Sequence, residues 1–369
     1  MPKLAKASTA GRKHRRNRVQ VALVGVDTSG NAPGGIATVS RSLMNGFAVN
    51  PRIEIKHIPN FDEGTLQRRL AMGGGAVWQV VRRRREIDIV HIQVATGLSI
   101  ERDLLLALAS ALMRIPVVAH FHGAGQVEDY EKGSSIHRMA YWALLRVSTN
   151  LVLGPRALHS LHLANTRSRM LIVPNGITFP EGPVPFSEDI PTFVFVGRLG
   201  KRKGIFDLLE AVDSLAKGGV NLRLLILGDG DIEEVTRRVM SNERLRERTE
   251  ILGWQDHEGT LAAIKKSWAL ILPSYAEGLP MAVLEAMACG RSVIASRVGE
   301  LEAMIDEGVT GFLVEPGDVS ELAKCINQLV NNPGLARSLG NEAFIAARRK
   351  YSISTVLDQL EEIYLSLIA

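Results

Sequence analysis

The chain has 369 residues, of which 46% are hydrophobic and 22% are charged, a balance typical of globular proteins. This length is sufficient for two domains, each with a core of its own. The first 18 residues contain seven Lys and Arg and no acid, whereas the remainder has 37 basic and 39 acidic residues. Because the folded part carries no excess of positive charge and aromatic residues make up only 5% of the chain, we expect no nucleic-acid partner.

The cysteine content and the apolar runs indicate a cytoplasmic protein. Cys289 and Cys325 are the only two cysteines, too few for a disulfide framework in a chain of this size, which points to a reducing compartment. The longest apolar run, Leu104–Met113, is too short to span a bilayer. We therefore expect a soluble protein, or one attached peripherally to the inner face of the cell membrane.

The first half of the chain predicts alternating strands and helices after a disordered basic tail at residues 1–18. The continuous apolar run 19–25 is typical of a strand in a parallel sheet that is buried on both faces. Further strands are predicted at 53–58, 87–92, 116–121, 151–153 and 171–176, and helices at 36–48, 66–85, 103–113 and 135–147. Three successive glycines, Gly73 to Gly75, are expected to interrupt the second of these helices.

A proline-rich segment separates the two halves. Residues 179–191 contain four prolines, which are incompatible with a regular element, so we place an interdomain linker at 182–191. The alternation then restarts, with strands predicted at 192–196, 222–227, 249–252, 269–272, 292–295 and 311–314. The pattern predicts an α/β protein with domains at 19–181 and 192–349, followed by a last helical segment at 350–369. Parallel sheets of this kind bind ligands at the carboxyl ends of their strands.

The most informative segment lies between Pro273 and Gly290. A strand is predicted to end at Leu272, and Pro280 occupies a favoured first position of the next helix, whose free N–H groups suit a phosphate. Glu277 precedes this helix start and Glu285 follows it. Carboxylates beside a phosphate site are suited to accept hydrogen bonds from sugar or ribose hydroxyls. Helix capping and a surface acid would explain the same spacing.

This segment resembles the E-x7-E motif of retaining GT-B glycosyltransferases, and most closely that of glycosyltransferase family 4. Other segments agree with that family in order and spacing: 33–36, 173–177, 195–199 with 203–204, 227–230 and 308–314. The resemblance covers roughly residues 19–365 and is more specific in the second half. It implies two Rossmann-like domains that face each other across a cleft, with the last helix crossing back to the first domain.

Two cations follow the first strand of the second half. Arg198 and Lys203 lie between a predicted strand and a predicted helix, so both can reach the cleft. Breaking a sugar–phosphate bond places negative charge on the departing diphosphate, which two fixed cations stabilise without a metal ion. The resemblance assigns the diphosphate to this pair. Solvated basic side chains are the alternative, which better describes Lys201 and Arg202.

The resemblance assigns roles to further residues. Glu277 would hold the donor sugar and Glu285 the ribose, while His122, at a strand end, would support the sugar or the developing charge. The remaining donor-binding residues expected are Gly34, Gly35, Gly278, Leu279, Pro280 and Trp254. The spacing of His120 and His122 also suits a metal, but no acidic or cysteine cluster accompanies the pair, so we expect no metal site and no cofactor.

One segment departs from the family pattern. Many members have Gly-Gly-x-Pro-Glu where this chain has Gly299-Glu300-Leu301-Glu302-Ala303. In the family this loop lies beside the site of the second domain. The replacement therefore bears on how this chain would bind its sugar donor, which the family pattern alone does not give.

The expected function is transfer of a hexose from a UDP or GDP sugar to an acceptor hydroxyl, in the synthesis of bacterial cell-surface polysaccharide or glycolipid. The acceptor would be a sugar or a lipid-linked sugar. A nucleotide-sugar-binding subunit without turnover is an alternative. A nicotinamide oxidoreductase is another, although Gly228-Asp229-Gly230 lacks the third glycine of that fingerprint, and an epimerase or hydrolase on the same fold is a third.

An anionic membrane surface is a further candidate partner. The segment 66–85 combines apolar residues, including Trp78, with Arg68, Arg69 and Arg82 to Arg85, as interfacial helices do. The same pattern would arise if Val77 to Val81 packed in the core and the arginines were solvated.

Overall fold

A computed structural model describes residues 18–28, 34–61, 65–97, 99–123, 129–130, 132–164, 168–185 and 190–369. Residues 1–17 of the tail predicted at 1–18, Pro33, and residues 186–189 of the predicted linker lie outside this description, whereas Arg18 is described.

The described residues form two six-stranded parallel sheets, which confirms the predicted α/β fold. The first sheet has the order β2-β1-β3-β4-β5-β6, and the second has the order β12-β11-β10-β7-β8-β9. The strands of the first are β1 (Val19–Val26), β2 (Ile53–Phe61), β3 (Ile89–Val94), β4 (Val117–Phe121), β5 (Thr149–Val152) and β6 (Met170–Ile172). Those of the second are β7 (Thr192–Val196), β8 (Arg223–Leu227), β9 (Thr249–Gly253), β10 (Ala269–Leu272), β11 (Ser292–Ser296) and β12 (Gly311–Val314).

The helices connect the strands and cover both sheets. In the first half they are α1 (Gly35–Phe47), α2 (Leu66–Arg82), α3 (Ser99–Leu112), α4 (Ser135–Val147) and α5 (Pro155–Ala164). In the second half they are α6 (Ile205–Lys217), α7 (Ile232–Met240), α8 (Glu243–Arg248), α9 (His257–Lys266), α10 (Met281–Ala288), α11 (Leu301–Met304), α12 (Val319–Asn331), α13 (Pro333–Tyr351) and α14 (Ile353–Ile368). Helices α5, α8 and α11 were not predicted from the sequence.

Helix α2 corrects one prediction, because it runs through Gly73 to Gly75 without a break. Each glycine costs a helix interior about 1 kcal/mol relative to alanine. The hydroxyl of Thr65 accepts a hydrogen bond from the Arg68 N–H and so caps the helix start. Ala76 and Val80 are buried in the core. Capping and burial together outweigh the cost of the glycines.

The two faces of the first sheet are covered by different helices. Helices α2, α3, α4 and α5 pack on one face, and α1 packs on the other. The last helix, α14, lies beside α1, with Val356, Leu360 and Tyr364 buried against the first sheet. The Tyr364 hydroxyl is 2.5 Å from Nδ1 of His91 on β3. The chain thus leaves the first domain through the linker and returns to it at its end.

A buried arginine attaches the linker to the second domain. The Arg291 side chain is 1% exposed. Its guanidinium donates hydrogen bonds to the carbonyls of Val184 and Pro185 in the linker and to those of Ile264 and Lys265 at the end of α9. Because a buried carbonyl without a donor is costly, this side chain fixes where the linker leaves the domain.

Replacing Arg291 with Leu is expected to lower the free energy of unfolding by about 3 kcal/mol, since several buried carbonyls lose a charged donor. Urea unfolding followed by circular dichroism measures the change. The control is Arg297→Leu, because Arg297 forms partly exposed ion pairs with Glu307 and Glu315, a kind that contributes about 1 kcal/mol or less. Equal losses in the two variants would contradict the role given to Arg291.

Candidate functional site

The loop between β10 and α10 brings one acid and one base together. The Glu277 carboxylate is buried, and its Oε1 lies 2.5 Å from the Lys203 ammonium. The Ser274 hydroxyl donates to the same oxygen at 2.6 Å. Both contacts are to Oε1, so Oε2 is the oxygen that remains for a ligand hydroxyl. The structure therefore brings together two of the residues predicted from the sequence.

Two glycines allow the neighbouring loops to approach this loop closely. Gly204 has a φ of 69°, and a Cβ at that position would lie 1.9 Å from the carbonyl oxygen of Pro273. Gly299 has a φ of 55°, and its Cβ would lie 1.8 Å from the carbonyl oxygen of Glu277. Any side chain at either position would push the turn or the loop away. These contacts fix the distance between Lys203 and Glu277.

Glu285 lies on α10 and is also buried. Its Oε1 is 3.4 Å from Nδ1 of His257, at the start of α9. The hydrogen bond with Glu285 raises the pKa of His257 above its ordinary value, and the nearby charge of Arg41 opposes that rise. Arg41 belongs to α1 of the first domain, so a cation from across the cleft acts on His257.

His122 follows β4 at the carboxyl edge of the first sheet. Both its ring nitrogens are buried from solvent without a well-formed hydrogen bond to the described residues. Burial is the main reason why the pKa of His122 lies well below its usual value, and the nearby His120 and His91 lower it further. The side chain of Asn175 acts in the opposite direction. Asn175 also donates to the carbonyl of Leu279 at 3.3 Å. A polar side chain thus stands between His122 and the loop before α10.

The starts of α1 and α10 approach each other across the cleft. A Cβ on Gly35 would lie 3.5 Å from the side chain of Met281, the first residue of α10. Gly34 precedes α1 with a φ of 114°, and Pro280 precedes α10. The free N–H groups of both helix starts therefore lie at the same cleft.

Among the described residues, Arg198 and Trp254 take no part in the hydrogen bonds of the Lys203–Glu277 pair, and Gly278 follows Glu277 directly. The Arg198 side chain is exposed, and its Cγ lies beside Gly230. Trp254 follows β9 with its side chain 46% exposed, three residues before His257. Gly278 lies in the loop before α10, where its carbonyl accepts from the N–H of Glu300 at 3.2 Å.

The segment that departs from the family pattern joins the two domains. Glu300 is 2% exposed, and its Oε1 accepts a hydrogen bond at 2.7 Å from the backbone N–H of Ala157, in the first turn of α5. Next to it, Arg156 of α5 forms a 2.5 Å ion pair with Glu302. A carboxylate at a helix N-terminus is favourable because it meets free N–H groups and the positive end of the helix dipole. We call this pair of contacts the interdomain clasp.

Sequence reasoning missed several residues of the site: Ser274, His257, Arg41, Asn175, and the partners of the clasp. Ser274 could have been predicted from its position three residues before Glu277. The others act through contacts between distant segments, for which the sequence contains no local signal.

The described residues contain neither a metal-binding cluster nor a helix that could span a membrane. In the parts of the chain that the structure describes, no group of three or more His, Cys, Asp or Glu is arranged to hold a metal ion. No described helix is both long and apolar enough to cross a membrane.

The second domain matches the model of a known protein family. Residues 181–345 match the family model of glycosyl transferases group 1. The alpha-D-kanosaminyltransferase of Streptomyces kanamyceticus is 31% identical over 177 residues, which are 48% of this chain and 46% of that protein. The chain thus aligns with about half the length of that relative. These matches show a glycosyl transferase group 1 domain and do not favour an oxidoreductase.

Solved structures share the whole fold. Sucrose-phosphate synthase from Thermosynechococcus elongatus superimposes with a TM-score of 0.78 at 21% identity, covering 95% of this chain and 99% of that one. Anabaena HepE in complex with UDP and glucose superimposes with a TM-score of 0.72 at 20% identity, covering 95% of this chain and 100% of that one. The two sheets therefore form a GT-B fold.

The buried histidines should make the stability depend on pH. Burial lowers the pKa of His120 to about 4 and also lowers the pKa of His91. As pH falls below the unfolded-state value of about 6.5, the unfolded chain binds protons that the folded chain does not, so stability is lost between about pH 6.5 and 4. In urea unfolding, His120→Asn should reduce that slope by about 1.4 kcal/mol per pH unit. Parallel pH profiles for the variant and the native protein would contradict this reading.

The interdomain clasp should hold the two domains together. Replacing Glu300 with Ala removes the acceptor for the Ala157 N–H and should increase the radius of gyration in small-angle X-ray scattering. Stability should fall by about 1–2 kcal/mol, the scale of a charged hydrogen bond at a helix start. Glu300→Gln keeps an acceptor oxygen, so its radius of gyration and its stability should both be close to those of the native protein. The control is Glu315→Ala, at an exposed acid of the same domain. A Glu300→Ala scattering curve that superimposes on that of the native protein would rule out the clasp.

Proposed function

We propose that this protein, which carries a glycosyl transferase group 1 domain in a GT-B fold, is a retaining, metal-independent hexosyltransferase of the family 4 type. It would transfer a hexose from a nucleoside-diphosphate sugar to an acceptor hydroxyl. The observation that carries this proposal is the Lys203–Glu277 ion pair beside the start of α10. It combines a cation for phosphate, a carboxylate for hydroxyls, and free backbone N–H groups at one place.

The chemistry requires stabilisation of a leaving group. The bond between the anomeric carbon of the sugar and the phosphate oxygen breaks, and both its electrons stay on the diphosphate. The acceptor oxygen forms the new bond to that carbon, and the hydroxyl proton passes to the departing phosphate. Lys203 is already held in position by Glu277, so its charge requires little reorganisation when the negative charge develops. Arg198, which is exposed beside Gly230, would swing onto the diphosphate as the second cation.

The nucleotide would lie along the second domain. Glu285 is buried beside His257, which orients the carboxylate to accept hydrogen bonds from the ribose hydroxyls. Trp254, half-exposed before α9, would lie near the base. The N–H groups after Gly278, together with Leu279 and Pro280, and those at Gly34 and Gly35 would meet the phosphates and the sugar from the two sides of the cleft.

His122 would contact the sugar from the first domain. Its low pKa keeps the ring neutral, so one nitrogen can donate and the other can accept. Both nitrogens are buried and lack a well-formed partner among the described residues. A buried polar group in that state is costly, and a sugar hydroxyl would satisfy it. The HepE structure, which contains UDP and glucose, favours UDP as the nucleotide for a first test, with GDP as the alternative.

The acceptor is proposed to be a sugar or a lipid-linked sugar in the synthesis of cell-surface polysaccharide or glycolipid at the inner face of the cell membrane. A relative in Streptomyces coelicolor, 31% identical over 215 residues that are 22% of its length, is named an exopolysaccharide phosphotransferase. That name supports the pathway, while the acceptor itself must be found by testing.

Substitutions at the donor site should separate binding from turnover. Glu285→Ala should weaken nucleotide-sugar binding by about 1–3 kcal/mol, the scale of hydrogen bonds to a charged acceptor. Lys203→Met and Arg198→Ala should each lower the turnover of the bound donor on the order of a hundredfold, because each removes a cation from the leaving group. Isothermal titration calorimetry with UDP and GDP sugars measures the binding of the donor, and the rate of donor consumption measures turnover.

Lys201→Ala is the matched control, because Lys201 lies in the same short turn and is exposed. Full activity of Arg198→Ala would remove that residue from the mechanism. Excess chelator should leave turnover unchanged, and a strict need for added Mg²⁺ or Mn²⁺ would overturn the metal-independent mechanism. Binding of donor without any transfer, to acceptor or to water, would identify a nucleotide-sugar-binding subunit instead.

A further inference from the structure

Three neighbouring helices of the first domain expose an unusual number of large apolar side chains. Helices α2, α3 and α4 all cover the same face of the first sheet. Their outward-facing stripes carry eight large apolar residues: Trp78, Val81, Leu105, Leu108, Leu112, Ile136, Met139 and Trp142. Leu112 is 86% exposed, Ile136 69% and Leu105 63%. The other exposed large apolar residues of the described chain are spread over several elements of both domains.

The apolar residues follow helical spacing. On α3 they occupy positions 105, 108 and 112, and on α4 positions 136, 139 and 142. The opposite stripes of the same helices enter the core, with Leu106 and Ala107 of α3 and Leu144 of α4 buried. Each helix is therefore apolar on two sides. Folding of this domain explains only the inner side.

Arginines surround the exposed apolar stripes. The Arg82 guanidinium lies 5.0 Å from the ring of Trp78, and that of Arg146 lies 4.7 Å from the ring of Trp142. Further exposed basic residues on or beside these helices are Arg68, Arg69, Arg83, Arg84, Arg85, Arg114, Lys132 and Arg138. Tryptophan with arginine at the edge of an apolar surface is typical of the boundary between acyl chains and headgroups.

Acids are fewer than bases on and beside these helices, where Glu86 and Asp88 are exposed just after α2. Helices α2 and α4 contain no Asp or Glu. Of the two acids on α3, Asp103 is buried against Asn60 and Arg102, and Glu101 pairs with His137 of α4. We name the outward surface of α2, α3 and α4 the α2–α4 face.

We propose that the α2–α4 face docks on the surface of an anionic lipid bilayer. Its apolar stripes would enter the headgroup boundary, and its arginines would contact lipid phosphates. A second copy of this chain fits less well, because a two-fold interface places the same surface on itself and would bring the basic rim against itself. The binding does not depend on the proposed catalytic activity.

The placement of the face suits an acceptor that is held in the membrane. Helices α3 and α4 start at the carboxyl edge of the first sheet, the edge at which His122 follows β4. From this edge the helices run to the opposite edge of the sheet, where Leu112 and Arg82 to Arg85 lie. Docking through the whole face would lay one side of the first domain on the bilayer, with the mouth of the cleft at one end of the contact. This last consequence rests on the proposed function, whereas lipid binding can be measured without it.

Sedimentation with vesicles tests the proposal directly. The full chain is mixed with vesicles of phosphatidylcholine alone, or with about a third of phosphatidylglycerol, at low and high salt. We expect binding to the anionic vesicles at low salt and release at high salt, because the attraction is screened. Leu105→Ser/Leu112→Ser should reduce the partition coefficient at least tenfold. Arg82→Gln/Arg85→Gln should reduce it about twenty-five-fold, since each basic residue near the surface contributes about fivefold.

Matched controls separate the face from general effects. Lys217→Gln/Lys266→Gln removes the same charge from exposed sites in the second domain, and Met240→Ser/Ile345→Ser removes exposed apolar residues there. Both should bind vesicles like the native protein. Equal binding to neutral and anionic vesicles, or equal loss in the control variants, would overturn the proposal. So would self-association of the native protein that Leu105→Ser/Leu112→Ser abolishes, which would assign the face to a second copy. Nucleotide-sugar binding, measured in parallel, should be unchanged in all four variants.

Discussion

The contact between Lys203 and Glu277 is the interaction around which the cleft of this protein is arranged. It joins two separate crossovers of the second sheet, the one after β7 and the one after β10, at the carboxyl edge where parallel strands deliver their loops. The pair is possible only because Gly204 and Gly299 let the neighbouring backbone pass within contact of the loop. A charged pair with restricted access to water is worth more than one in solvent, and it is also costly to break.

The second level of organisation is the relation between the two domains. The chain crosses between them twice, at the linker that Arg291 holds and at α14, which packs on the first sheet. The interdomain clasp adds a third connection through charge rather than through the chain. Because Glu300 follows Gly299 directly, the same short segment contacts both the loop between β10 and α10 and the first domain. A change in the distance between the domains would therefore move the segment that contacts the Glu277 backbone.

The sequence predicted the local elements of the second domain well, and the physical reason is the pattern itself. Strands of a buried parallel sheet are continuous apolar runs bounded by glycine or proline, so β10 and β12 could be predicted from their residues alone. The error at Gly73 to Gly75 arose because intrinsic helix propensity is weaker than packing, and the packing of α2 depends on contacts with other segments.

The ion pair of Lys203 with Glu277 could be predicted only as two residues near one cleft. The approach of Arg41 to His257, and that of Glu300 to Ala157, joins segments more than a hundred residues apart in the chain, for which a single sequence has no signal.

The net charge of the chain gives no indication of the basic, apolar α2–α4 face. Outside the first 18 residues, acids and bases nearly balance, which argues against a nucleic-acid partner. Balance over a whole chain says nothing about its distribution, however, because charges on opposite sides of a domain are separated by more than a Debye length and act independently. The acids of α3 are occupied inside the first domain by Asn60, Arg102 and His137, so they cannot neutralise the arginines outside. A chain that is nearly neutral beyond its tail can therefore present a strongly basic, apolar face. The sequence indicated only the part at residues 66–85, and the arrangement of the helices adds α3 and α4.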